Sequence, residues 1–402
     1  MMPLAATSLE SAGAPGLSID RLTLTDFRSY AALRLDLPNA AGEPVVLVGP
    51  NGAGKTNLLE AVSYLAPGRG LRGARLADVA RLEAAGGWAV HARLLAGERS
   101  VEIGTGLAGD TEADETGGGA PRRIVRIDRE NAGGPAALGR HVAMLWLTPA
   151  MDRLLGDAAS ERRRFLDRMV MALNSEHGRQ LAGYERAMRE RGRLLAERGG
   201  HADPAWLSAL ETRMAEHGVA IAAARREAVT RLGRRAAAEP EGPFPRPQLA
   251  VEGELEDALA RMSALEAEDG YRDRLRELRP RDAAAGRTLA GPHRSDLAVV
   301  HAASGMPARL CSTGEQKGLV IAMVLAQAVS SAERAGRAPI LLLDEVAAHL
   351  DPERRGALLS RLEALRCQAW LTGTEASLFS SLGGRAHAFA VANAALTPID
   401  LG

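Results

Sequence analysis

The chain has 402 residues, with 50 basic against 50 acidic side chains and 46% hydrophobic residues; that length gives about two to three domains with a real core and excludes a single small domain. The balanced charge excludes a global basic field, so any nucleic-acid face has to be a local patch. The two cysteines, Cys311 and Cys367, lack metal-ligand or CxxC spacing, read as ordinary buried thiols and suggest a reducing cytosol.

In chain order, residues 1–18 carry neither a basic leader nor a continuous apolar core, so no secretory signal is expected, and 1–16 read as a disordered tail. Residues 17–37, LSIDRLTLTDFRSYAALRLDL, alternate apolar and polar side chains and predict strands. The apolar run PVVLVG then enters GPNGAGKT, a complete G-x-x-x-x-G-K-[ST] match from Gly49 to Thr56, and a helix-compatible NLLEAVSYL follows. Gly49, Pro50, Asn51, Gly52, Ala53 and Gly54 let the backbone curl so that its N–H groups face phosphate oxygens; Lys55 reaches the outer phosphates and the Thr56 hydroxyl can ligate Mg²⁺. A Gly-rich basic stretch with Arg69, Arg72 and Arg75 comes next, then a second alternating pair in WAVHARLLAGERSVEIGTGL. Residues 104–121 read as a hairpin end or loop, and RRIVRIDRE as a strand.

From about residue 150 the pattern turns helical. Phe165, Met169 and Leu173 lie four apart, with Asp157 or Ser160 available as an N-cap; Asp203-Pro204 opens another helix whose Trp206, Leu210 and Met214 form one stripe, with Ile221 further along. EPEGPFPRPQ ends that helix, and a shorter helical stretch covers about 254–279. Strands return at RTLAGPHRSDLAVV. PILLLDEV at 339–346 reads as a buried parallel strand, and LRCQAWLTGTE as the next one. The longest apolar stretch, LVIAMVLAQAV at 319–329, is short of the roughly 20 residues of a membrane span.

Two further stretches bear on chemistry. In LLLDEVAAHLD, Asp344 at the strand end can hold Mg²⁺ through water and Glu345 can polarise an attacking water, which is most of what phosphoryl transfer asks of a protein. In CSTGEQKGLVIAMV, Ser312, Thr313 and Gly314 sit at a helix entrance, where free N–H groups and a hydroxyl form an anion site; an isolated STGE can equally be a helix cap with its Glu315. Only two lysines occur among the basic residues, Lys55 in the loop and Lys317 in this second stretch. An ammonium is not interchangeable with a guanidinium at a crowded site.

The order of phosphate loop, serine-glycine helix start, acidic strand and short aspartate-containing loop resembles the ABC-type ATPase head. No long heptad array of the SMC kind fills the interval between Thr56 and Asp344. LTLTDFRSYAALRLDL, GPNGAGKTNLLEAVSYLAPGRGLR, LTPAMDRLLGDAASERRRFLD, RTLAGPHRSDL, STGEQK and LLLDEVAAHLD are together similar to the successive motifs of the RecF family, spread over nearly the whole chain. The resemblance implies an α/β fold: a P-loop ABC-type ATPase head with extra antiparallel segments, built from 17–148 and 287–402, and a mainly helical insertion at 149–286.

It further implies ATP and Mg²⁺ as ligands and weak ATP hydrolysis as a switch. Gly49 to Thr56 would contact the phosphates, and Arg28 would reach the nucleotide. Ser312, Gly314, Glu315, Gln316 and Lys317 would complete the site of a second copy, and Asp351 would lie at the dimer seam. The implied partners are single-stranded and gapped double-stranded DNA, RecR and RecO, with help in loading RecA. The implied location is cytoplasmic and nucleoid-associated, without a membrane. Arg69, Arg72 and Arg75 form the candidate DNA patch, with a solvated loop face as the alternative. No glutamine occupies the glutamine-loop region near LWLTPAMD. The rival readings are a transporter ATPase subunit and another SMC-like clamp.

Overall fold

The computed structural model describes residues 16–38, 42–84, 86–107, 122–198 and 202–402. The expected tail at 1–15 and the Gly-rich segment 108–121 lie outside them; Gly16 is buried, and 104–107 belong to a strand. Along the chain come β1 (Ser18–Phe27), β2 (Tyr30–Asp36), β3 (Val45–Val48), α1 (Lys55–Ser63), β4 (Trp88–Ala96), β5 (Arg99–Leu107), β6 (Ile124–Ile127), β7 (Glu130–Asn131) and β8 (Met144–Leu147). The helices α2 (Ala159–Leu173), α3 (His177–Arg198) and α4 (Pro204–Ala238) follow, then β9 (Pro247–Glu252), α5 (Glu254–Ala258), α6 (Ala264–Glu277), α7 (Arg279–Ala285) and β10 (Asp296–His301). The last stretch holds α8 (Thr313–Ala335), β11 (Ile340–Leu343), α9 (Pro352–Leu365), β12 (Ala369–Gly373), β13 (His387–Ala392) and β14 (Ala395–Pro398).

Two six-stranded sheets organise the head. One is antiparallel in the order β2-β1-β4-β5-β6-β7; the other runs β14-β13-β3-β12-β11-β8, parallel except for β14. Every residue of β3, β8, β11 and β12 is buried, the signature of strands covered on both faces. Buried Gln368 joins the sheets as a surrogate strand partner, its side chain accepting from the Ile19 N–H and donating to the Ile19 carbonyl, each at 2.9 Å. Aromatics are scarce, and three of them, Phe27, Tyr64 and Trp88, meet edge-on at 4.9–5.8 Å between α1 and the antiparallel sheet.

The middle of the chain departs from the sequence reading in several places. At α2 neither Asp157 nor Ser160 caps: the N-cap is Ala158, and Arg162 donates to the Asp157 carbonyl instead. Asp203 does cap α4, accepting from the Ala205 N–H. On α4 the expected Leu210, Met214 and Ile221 are buried, but Trp206 is 47% exposed and Leu207 takes its place at the start of the stripe, because the neighbouring helices cover that side of the first turn. The proline-rich loop runs into the short β9, which starts at Pro247 and pairs antiparallel with β10. The 254–279 stretch is broken before Ser263, which starts α6 with a reciprocal capping box to Glu266.

Hydrophobic packing also divides the stretch 149–286 expected as one insertion. Residues from Tyr184 to Ala290 on α3, on α4 through Ala222 and on α5–α7 form a separate core, whereas Phe165, Leu166, Met169 and Val170 of α2 and Ala228, Val229 and Leu232 of α4 join the head. α4 is 35 residues long, so it spans both cores. α8, 23 residues with a mean hydropathy of 1.2 in its most apolar window, is long and apolar enough to cross a membrane by those measures; 67% of that window is buried in protein. It packs as a core helix against α4, α9 and β8.

Candidate functional site

The site forms at the C-terminal ends of the parallel strands. Beyond β3, Gly49 donates to the Gly373 carbonyl at 3.2 Å, and a Cβ there would stand 2.2 Å from the Val391 carbonyl, so only glycine lets the loop pass β13. Gly52 and Gly54 have φ of +82° and +111°, the conformations that curl the loop toward α1. The first turn of α1 has no side-chain cap and no acidic residue, which leaves its N–H groups and positive end for an anion. Lys55 is buried, its Nζ donating to the carbonyls of Gly49 at 2.6 Å and Pro50 at 3.0 Å. These are neutral acceptors, so a phosphate would compete well for the ammonium.

Thr56 Oγ1 donates to Asp344 Oδ1 at 3.0 Å across 288 residues of sequence. Asp344 follows β11 and is buried, and burial pushes its carboxyl above the ordinary range against the opposing hydrogen bonds from Thr372 and Thr56. A hydroxyl and a carboxylate meeting beside a phosphate loop are the oxygen-only donors a Mg²⁺ ion favours, so these residues fit one. Glu345 has φ of +53°, which costs on the order of 1 kcal/mol for a residue with a Cβ. Its carboxylate has no hydrogen bond or ion pair among the described residues, and its N–H donates to Thr372 Oγ1 at 2.8 Å.

Arg28 sits in the β1–β2 turn with φ of +52°. Its guanidinium grips the fully buried Glu60 of α1 at two points, 2.9 and 2.8 Å, and reaches the Asp78 carbonyl at 2.5 Å, so its donors are turned to the flank of the loop helix. Arg72 shares Glu60 at 2.9 Å and also donates to Asn57 at 2.9 Å. Of the candidate DNA patch, Arg69, Arg72 and Arg75 are all exposed, but only the Arg69 and Arg75 side chains lack a hydrogen-bond or ion-pair partner among the described residues. The root of that loop is held by buried Arg123, which donates to the carbonyls of Tyr64 and Gly68 and lies 5.0 Å over the Tyr64 ring; burial without a carboxylate lowers its pKa to about 10.

At the start of α8, Ser312 and Glu315 form a reciprocal capping box, so Glu315 is spent on its own helix and its carboxyl is held low by the Ser312 hydroxyl. Gln316 donates to the Cys311 carbonyl at 2.9 Å. Lys317 departs from the expected partner-facing role: it is buried and pairs at 3.2 Å with Asp152 of its own chain. Asp351 caps α9 through the Arg354 N–H, and Arg354 donates to the Gly314 carbonyl at 3.3 Å. Ser312, Thr313 and Gly314 therefore remain as the exposed part of the stretch. Among the described residues no hydrogen bond or ion pair joins 312–317 to 49–56, so within one chain the two halves stay apart.

Sequence reasoning did not single out Glu60, Arg123 or Asp152, and it noted Thr372 only as a residue of the strand after the acidic one. Glu60, Asp152 and Thr372 carry one signal, a polar side chain beside or inside an apolar run; Arg123, in PRRIVRIDRE, carries none.

Residues 21–155 match the family model described as an AAA domain. The DNA replication and repair protein RecF of Mesorhizobium japonicum is 51% identical over 383 residues, covering 95% of this chain and 98% of that protein. Its namesake in Brucella abortus is 50% identical over 387 residues, covering 95% and 97%. This chain belongs to the RecF family. Among solved structures, the recombination mediator protein RecF-ATP in the RecFOR pathway superposes with a TM-score of 0.79 at 18% identity, over 97% of this chain and 100% of that one. An Smc head domain from Pyrococcus furiosus aligns at 0.51 and 15% identity over 96% of each, which relates the fold of this RecF-family chain to that of an Smc head. Family membership places it in DNA replication and repair.

Proposed function

We propose that this RecF-family chain is an ATP-driven, DNA-binding dimer of replication and recombinational repair, in which ATP closes two copies and hydrolysis lets them part. The observation that carries the reading is the meeting of Thr56 and Asp344 at 3.0 Å beside a curled phosphate loop. Backbone N–H groups of 49–56 cradle the phosphates, and Lys55 leaves the Gly49 and Pro50 carbonyls for the outer ones. Thr56 and Asp344 would hold Mg²⁺, which when bound supplies charge neutralisation at the phosphate oxygens. Glu345, with its carboxylate unengaged, orients the attacking water, and slow turnover serves as the switch.

The exposed Ser312–Gly314 segment, at the positive end of an intact helix, offers the Thr313 and Gly314 N–H groups to the nucleotide of a second copy, and the Ser312 hydroxyl joins them once it leaves Glu315. The site is then complete only between chains, with Asp351 near the seam. Arg69 and Arg75, and Arg72 where it can leave Glu60, bind the phosphates of single-stranded or gapped DNA. RecR, RecO and the loading of RecA are the partners and outcome that the family resemblance supplies.

Sedimentation with and without ATP and gapped DNA tests the reading. Wild type should dimerise with ATP and more so with DNA; Lys55→Met, which removes the point charge on the outer phosphates, should stay monomeric. Equal ATP-dependent dimerisation of Lys55→Met and wild type would overturn it.

A further inference from the structure

We propose that Thr372 is a positioning residue of the ATPase site, its single hydroxyl fixing both the Asp344 carboxylate and the backbone turn that aims Glu345. The inference rests on the ATPase reading above and assigns a role to a residue outside the phosphate loop, the acidic pair and the serine-glycine helix start.

Register places it. Leu343 of β11 pairs with Leu371 of β12, so the next residues up the two parallel strands, Asp344 and Thr372, rise side by side. A hydroxyl has one proton and two lone pairs. Here the proton goes to Asp344 Oδ1 at 2.8 Å, and a lone pair accepts the Glu345 N–H at 2.8 Å. Thr372 is 1% exposed, which leaves no room for water to stand in for either bond.

The chain at Glu345 leaves the extended conformation, with φ of +53°, and its N–H is bonded to a side chain of β12 instead of a ladder carbonyl. The Thr372 hydroxyl is where that N–H goes. The Glu345 carboxylate has no partner of its own among the described residues, so the backbone turn is what sets the direction in which its side chain leaves the chain. Thr56 reaches the same Asp344 oxygen at 3.0 Å, so one hydroxyl–carboxylate–hydroxyl chain ties the loop helix α1, the acidic strand and β12 together. Only a short arm that donates and accepts at once can do this, which serine shares and valine, of nearly the same shape, does not.

The test compares Thr372→Val and Thr372→Ser in full-length protein. Losing a buried bond to a charged group should slow turnover in Thr372→Val by about 10- to 100-fold. ATP affinity should stay within about threefold, since the phosphate loop is untouched. In the nucleotide-free protein, hydrogen exchange of the Glu345 amide should quicken by about tenfold as its bond disappears. Thr372→Ser should stay near wild type in all three. Wild-type turnover and a protected amide in Thr372→Val would overturn the proposal, as would equal losses in Thr372→Ser, which would trace the effect to methyl packing. Should the wild-type chain itself turn over no ATP, the ATPase reading fails, and the amide measurement still decides whether the hydroxyl clamps Glu345.

Discussion

Glu60 is buried on α1 and shared by Arg28 and Arg72, whose side chains are 20% and 42% exposed. Arg28→Ala would remove a two-point grip and leave the carboxylate one bond from Arg72, which should cost about 2–3 kcal/mol. Arg72→Ala removes the more solvated cation and leaves the Arg28 grip intact; about 0.5–1 kcal/mol is expected, within the range of exposed pairs. The double variant strands a buried carboxylate without any cation, so its cost should exceed the sum by about 1–2 kcal/mol. Urea denaturation of the four proteins, read as midpoints at constant m, measures this cycle. Equal losses in the two single variants, or additivity within about 0.5 kcal/mol, would refute the claim that Glu60 is held chiefly by Arg28.

Glu345→Gln retains the turn but removes the carboxylate that orients water, so hydrolysis should fall by at least about 100-fold while ATP-bound dimers accumulate in sedimentation. Undiminished turnover would reassign the base. Charge reversal at Arg69 and Arg75 should weaken DNA binding and lower the slope of log affinity against log salt by about 0.7 on single strands and about 0.9 on duplex for each phosphate that no longer meets an arginine, with ATP binding unchanged. Unaltered slopes would restore the solvated-loop alternative for those residues.

The strand, loop and helix at 45–63 and the apolar acidic strand were legible because contiguous residues encode them: aliphatic runs give buried strands, and glycines mark where φ turns positive. The helices in the middle of the chain and most of their buried stripes, Phe165 and Met169 on α2 and Leu210, Met214 and Ile221 on α4, were legible for the same reason, but not where the α4 stripe begins. Leu207 faces inward in place of Trp206 because the partner helices, not the local period, choose which side of a stripe is covered. β9 escaped notice since it is six residues long and begins inside the proline-rich loop at Pro247, and its strand partner, β10, lies three helices further along the chain. Four polar groups depended wholly on tertiary contacts. Arg28 meets Glu60, Lys317 meets Asp152, Thr372 meets Asp344 and Glu345, and Arg123 meets the end of α1. A guanidinium or hydroxyl takes whichever partner the fold brings within about 3 Å. The sequence by itself determined which chemistry the loop and the acidic pair carry; the tertiary structure decided which charges are already spent, because hydrogen bonds follow distance in space and not order along the chain.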